Sequence, residues 1–183
     1  MKKRQHVIIF DGPDMCGKTE MASELSRLLK VPYFKNENEW EFFEKDPNYF
    51  RNALAYGDTF FYSYLQQTNA SVILDRSYPS EWVYSKVFFR VTNKDALKSV
   101  DTMASQVGVK IIIPYRTSYA GIEDQFSSIT PERLVSIDKL YKEFASWTAC
   151  DVLLLNVDSE DLNDEIFEIL KFINGEKGHE SRT

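Results

Sequence analysis

Gly12 and Gly17 are separated by Pro13, Asp14, Met15 and Cys16 and followed at once by Lys18 and Thr19, the spacing G-x-x-x-x-G-K-[ST]. Glycines there let the backbone turn tightly, so that successive N–H groups and a helix N-terminus converge on phosphate oxygens. The lysine of such a loop reaches β- and γ-phosphates, and the hydroxyl beside it joins a Mg²⁺ shell. An ordinary Gly-rich turn is the competing reading, and the flanks argue against it. Val7-Ile8-Ile9-Phe10 is an apolar run of buried-strand type. Met21, Ala22, Leu25, Leu28 and Leu29 then recur at helical spacing, so the loop joins a strand to a helix. Gly12, Pro13, Asp14, Met15, Cys16, Gly17, Lys18 and Thr19 are therefore expected to hold the phosphates of a nucleotide such as ATP.

A second acid stands where a metal would need it. Ser71-Val72-Ile73-Leu74-Asp75 reads as a strand ending in a carboxylate, in the place of a Walker B acid that holds Mg²⁺ through water. Buried strands often end in Asp, and the loop upstream is what gives Asp75 its weight. The polar run Lys35-Asn36-Glu37-Asn38-Glu39 follows a short strand and so lies at the carboxyl edge of a sheet, where open α/β folds place ligands. A solvated loop explains that run equally well.

The elements that must position these residues follow in order. A helix over 18–30 leads to a strand at Val31-Pro32-Tyr33-Phe34. The aromatic-rich stretch 40–64 is read mainly as core or interface, with one or two rings able to stack on a base. After the strand at 71–75, Pro79 opens a helix through Trp82, Val83, Phe88 and Phe89, with Ser77 as its cap. A helix over 94–106 precedes a fourth strand at 109–114. Residues 115–129 have no strong period, and a loop of that length in a small domain reads as a lid. Thr130-Pro131-Glu132-Arg133 caps a helix through Phe144, Val152-Leu153-Leu154-Leu155 is a fifth strand, and 162–173 form a last helix. The expectation is α/β: a five-stranded parallel sheet flanked by helices on both faces, one domain over 1–174, and a polar tail over 175–183 that is disordered.

Composition narrows the function classes. The chain has 183 residues, 43% of them hydrophobic, enough for one core. A net charge of −6 argues against a dedicated nucleic-acid binder, so an anionic substrate would need local positive charge. Cys16 and Cys150 lack CxxC partners and read as reduced thiols of a cytoplasmic protein. The basic Met1-Lys2-Lys3-Arg4 is followed by too short an apolar run for a signal peptide, and no stretch is long enough to span a bilayer.

Phe10-Asp11-Gly12-Pro13-Asp14-Met15-Cys16-Gly17-Lys18-Thr19 resembles the F-E-G-x-D-x-x-G-K-[ST] opening of thymidylate kinases, a branch of the nucleoside monophosphate kinases. Asp75-Arg76-Ser77-Tyr78-Pro79-Ser80-Glu81-Trp82-Val83-Tyr84 is similar to their D-R-Y-x-x-S-x-x-A-Y, with Ser77 in place of the aromatic, as in the E-R-S motif of deoxynucleoside kinases. The resemblance covers most of the chain, and the compact lid is of the kind expected from a bacteriophage enzyme. It implies a P-loop NTPase fold and Mg²⁺-dependent transfer of the ATP γ-phosphoryl group to the 5′-phosphate of a dTMP- or dUMP-like acceptor. Arg76 would grip the acceptor phosphate, with Arg51, Ser80 and Tyr84 around it, and Asp14 would lie near the 3′-hydroxyl. Asp14 could also pair with a neighbouring arginine or brace the loop. Arg116, the one arginine between Arg90 and Arg133, would reach the transferring group as the lid closes, or merely solvate the loop. A deoxynucleoside kinase with Glu37 as base, a kinase of modified bases in DNA and a non-catalytic nucleotide switch remain as alternatives. The partners expected are small nucleotides, with no membrane and no nucleic acid, and a homodimer stays open.

Overall fold

The computed structural model describes residues 4–35, 47–120 and 129–175, with the backbone alone over 47–56. Along the chain run β1 (Val7–Phe10), α1 (Lys18–Leu29), β2 (Tyr33–Lys35), α2 (Pro47–Thr68), β3 (Val72–Asp75) and α3 (Tyr78–Val87). They are followed by α4 (Lys94–Val107), β4 (Lys110–Tyr115), α5 (Pro131–Trp147), β5 (Asp151–Asn156) and α6 (Leu162–Asn174). The five strands form a parallel sheet in the order β2-β3-β1-β4-β5. A central parallel strand is covered on both faces and so carries an unbroken apolar run, and all four residues of β1 are buried. The helices fall into two groups, α1 against α6 and α2 to α5 among themselves, as two covered faces require.

Strand register sets up the site. Phe10 and Lys35 both lie beside Asp75, so β1, β2 and β3 end level with one another. The residues that leave these strands therefore share one edge of the sheet. β4 and β5 end together as well, Tyr115 beside Asn156, and bring Arg116 and the turn after Asn156 to the same edge.

Most boundaries agree with the sequence pattern, and the exceptions have local causes. Val31 stays outside β2: Lys30 takes a left-handed φ of 53°, and Val31 N–H returns to the Ser26 carbonyl, closing α1. α3 stops at Val87 instead of running through Phe89. Phe89 adopts φ 51° and Arg90 N–H bonds back to Ser85 O, the hydrogen bond that ends a helix at a left-handed residue. Phe89 is 94% exposed, so burial offers nothing for extending the helix. Thr130 caps α5 as expected, accepting from Arg133 N–H, an interaction contributing about 1 kcal/mol. Ser77 does not cap α3 with its side chain. The lid residues 121–128, the tail 176–183 and Glu37 lie outside the described residues. Among those described, no helix is long and apolar enough to cross a membrane.

Candidate active site

The loop between β1 and α1 is tight for two steric reasons. A Cβ on Gly12 would lie 2.9 Å from the Pro114 carbonyl oxygen on β4, so any larger residue would push the loop off the sheet. Met15 and Gly17 both take φ 66°, a left-handed pair of turns that carries the chain over Lys18 into α1. Lys18 is 7% exposed and donates to the Pro13 carbonyl at 2.5 Å, folding its ammonium back over the loop. Burial, with Arg76 nearby, pulls the Lys18 amine down to about 8, against the opposing attraction of Asp14.

At the second residue of α1, Thr19 Oγ1 donates to Asp75 Oδ2 at 2.7 Å, and Tyr33 Oη on β2 donates to the same oxygen at 3.0 Å. Hydroxyl and carboxylate oxygens are the ligands Mg²⁺ takes, and one or two from the protein suffice when substrate phosphates and water supply the rest. Thr19 and Asp75 thus fit that ion. Among the described residues, no group of three or more His, Cys, Asp or Glu side chains could hold a metal by itself.

Directly after Asp75, Arg76 has φ 71°, and its own N–H bonds to Phe10 O at 2.8 Å. The turn aims the guanidinium back at the phosphate loop. It pairs there with Asp14 Oδ1, donates to Ser80 Oγ at 3.2 Å and lies 5.2 Å from the centre of the Tyr84 ring, whose hydroxyl reaches Asp14 Oδ2 at 3.5 Å. Asp14 therefore has an arginine partner, one of the two that its place in the loop called for. Burial raises the Tyr84 phenol above its ordinary range, so it stays a neutral donor.

Lys18, Thr19, Asp75, Arg76 and Asp14 line a cleft of about 480 Å³, which Lys35 joins from β2. The cleft gathers three cations, Lys18, Lys35 and Arg76, beside three acids, Asp14, Glu20 and Asp75, so positive charge is available to an anionic substrate there although the lining as a whole is balanced. Arg116 does not line that cleft. Its Nε donates to Met15 O at 2.9 Å, its Nη1 pairs with Glu160 at 2.9 Å, and it lines a second cleft of about 270 Å³ with Val157 and Glu165, which shares Cys16, Gly17 and Glu20 with the first. Ser80 is buried, its hydroxyl bonded to Asp11 Oδ1 at 2.7 Å, so it backs the wall of the larger cleft. Arg51 falls on α2, and its side chain is outside the described ones. The Cys16 thiol is buried beside Tyr119 Oη at 3.5 Å, and burial raises its pKa, so it stays protonated; Cys150 is free and buried too.

Asp11, Tyr33, Lys35 and Tyr141 were not singled out from the sequence. Only Lys35 carried a signal, as the first residue of the polar run at the sheet edge.

No protein-family model matches the chain, and no curated sequence matches it either. Solved structures do resemble it. The YorR protein of Bacillus subtilis, in complex with phosphorylated GDP, superposes with a TM-score of 0.63 at 20% identity, over 93% of this chain and 96% of that one. Deoxyadenosine kinase from M. mycoides, with dCMP and dCDP bound, gives 0.54 at 22% identity, over 92% and 98%. Thymidylate kinase from Ehrlichia chaffeensis gives 0.54 at 15% identity, over 94% and 100%. The likeness at these identities is one of architecture: this chain has the fold of the P-loop nucleotide kinases.

Proposed function

We propose that the protein transfers the γ-phosphoryl group of ATP to the 5′-phosphate of a deoxynucleoside monophosphate, with a dTMP- or dUMP-like acceptor favoured. The observation that carries this reading is the meeting of Lys18 and Arg76 in one cleft, with Thr19 and Asp75 bonded between them. The attacking oxygen of a monophosphate is already anionic at neutral pH, so no base is required. What the reaction needs is relief of repulsion between two phosphates, and alignment. Lys18 supplies charge on the donor side, and Arg76 can span two oxygens of the acceptor phosphate. Thr19 and Asp75 would hold Mg²⁺, which would supply neutralisation of donor phosphate charge. Tyr84 sits under the Arg76 guanidinium and limits where it can swing. Arg116, bonded to the phosphate loop at Met15 O, belongs with the donor nucleotide. The lid over 115–129, the single domain over 1–174 and a cytoplasmic setting go with this reading.

A deoxynucleoside kinase is the second reading, favoured by Ser77, whose hydroxyl meets Tyr62 Oη at 3.2 Å where thymidylate kinases carry an aromatic. Release of ADP, screened over all common nucleosides and their ribo- and deoxy-monophosphates, tests both. Turnover confined to monophosphates supports the proposal, and turnover confined to nucleosides replaces it with the second. Absence of turnover with every acceptor makes the protein a nucleotide-binding switch.

A further inference from the structure

A buried carboxylate is costly unless its oxygens are fully engaged, and Asp11, between β1 and Gly12, has no exposed surface at all. Its Oδ2 accepts from the Ser77 and Ser80 backbone N–H groups at 3.2 and 3.1 Å. Its Oδ1 accepts from Gly12 N–H at 3.0 Å, Ser80 Oγ at 2.7 Å and Tyr141 Oη on α5 at 2.6 Å. Every backbone partner is an obligate donor, and burial pushes the carboxyl's pKa up against the pull of Arg76 and of the bonds from Tyr141 and Ser80.

Two of those bonds do the work of a helix cap. In α3 the Ncap is Ser77, which makes no capping bond with its side chain, and Pro79 has no N–H to satisfy. Asp11, just past β1, takes the Ser77 N–H and shares the Ser80 N–H with the Ser77 carbonyl, which that N–H also reaches at 3.0 Å; a carboxyl there also suits the positive end of the helix. Arg76 is the residue directly before that cap. It sits at φ 71°, a conformation that a bulky L-residue leaves unless its neighbours hold it. The Arg76 guanidinium lies 3.8 Å from Asp11 Oδ1 and donates to the same Ser80 hydroxyl that Asp11 holds.

We propose that Asp11 is a positioning residue for phosphoryl transfer: by capping α3 from β1 it locks the 76–80 turn to the phosphate loop and fixes where Arg76 presents its guanidinium to the acceptor phosphate. Tyr141 extends the brace to α5. This rests on the function proposed above, since it names a residue that acts through Arg76.

The test is a double-mutant cycle on the full chain, read by steady-state kinetics with the best acceptor from the screen and by calorimetric binding of ATP. Asp11→Asn puts an amide where only acceptors fit. It is expected to lower acceptor kcat/KM about 100-fold while ATP affinity stays within about threefold, and Asp11→Glu, which keeps the carboxyl, is expected to recover most of the loss. In an Arg76→Ala background, Asp11→Asn should cost less than about threefold more, because both changes remove one function. Losses that multiply in the double mutant, or an equal fall in ATP affinity, would overturn the proposal and leave Asp11 as a brace of the fold. Should Asp11→Asn fail to fold, Tyr141→Phe decides: about a fivefold loss confined to the acceptor supports the role, and unchanged acceptor kinetics refute it. A wild-type protein that turns over no acceptor overturns the function and this proposal together, whereas wild-type turnover with multiplying losses overturns this proposal alone.

Discussion

Thr19 and Asp75 are bonded to each other, hydroxyl to carboxylate at 2.7 Å, although one opens a helix and the other ends a strand 56 residues later. Adjacent parallel strands that end level bring them together, and these two side chains are the ones that would hold Mg²⁺ on the function proposed above. Asp75→Asn keeps the shape but removes the charge. It is expected to raise the Mg²⁺ concentration for half-maximal turnover by about tenfold or more and to leave acceptor KM within about twofold. A magnesium titration of initial rates checks this, and an unchanged response would remove Asp75 from the metal site.

The buried ammonium of Lys18 makes nucleotide binding depend on pH in a definite direction. Its folded value, about 8, lies below the ordinary 10.5, so between those values the unfolded chain holds more protons. Stability of the nucleotide-free protein therefore rises with pH across that window, and the benefit is lost as pH falls through 8. Nucleotide phosphates reverse the preference by stabilising the ammonium. ATP binding without divalent metal should thus take up a proton near pH 8.5 and weaken as pH climbs further. Calorimetry in buffers of different ionisation enthalpy measures the uptake, which should vanish in Lys18→Met; the same uptake in both proteins would assign it to another group. Lys18→Ala should also cost about 10²-fold in turnover while the protein stays folded.

Asp14 pairs with Arg76 in the structure and, on the resemblance, also lies where the acceptor sugar would come. If the carboxylate serves the acceptor, Asp14→Ala weakens acceptor binding by about tenfold and spares ATP. A 3′-deoxy acceptor should then be handled poorly by the wild type and no worse by the variant. Inhibition constants for the acceptor and its 3′-deoxy analogue measure the difference. Equal losses of ATP and acceptor affinity would make Asp14 a brace for the loop and for Arg76.

What could be read from the sequence was local. The run Val7-Ile8-Ile9-Phe10, the glycine spacing, Lys18-Thr19 and the terminal Asp75 are patterns within a few residues of one another, and each names its own strand, turn or helix. The partners of Asp11 are not local: Ser80 is 69 positions away and Tyr141 130 positions away, so its place at the acid of the F-E-G-like opening says nothing of what it bonds. Tyr33 was hidden for the same reason, its hydroxyl meeting Asp75 only through the pairing of β2 with β3. Ser77 misled because a serine before a helix usually caps it, and here a buried carboxyl from just past β1 reaches the donors.

Arg116 was expected to reach the transferring phosphoryl group through lid closure, and the described residues show how it is held beside the phosphate loop. Its guanidinium is held from both sides, by Met15 O on the phosphate loop and by Glu160 after β5, and it lines the smaller cleft, which shares Cys16, Gly17 and Glu20 with the larger one. To swing toward Arg76 it would have to give up both interactions. A cation that keeps them would act on the donor nucleotide and on the shape of the loop. Arg116→Ala is therefore expected to raise the KM for ATP about tenfold while turnover at saturating ATP falls less than about threefold, and Glu160→Gln, which loosens Arg116 without removing it, should give a smaller change of the same kind. Steady-state kinetics with ATP varied at saturating acceptor separates the alternatives. A fall of about 10²-fold in turnover number with unchanged ATP affinity would return Arg116 to the transferring phosphoryl group, because only an interaction confined to the transition state lowers kcat in that way.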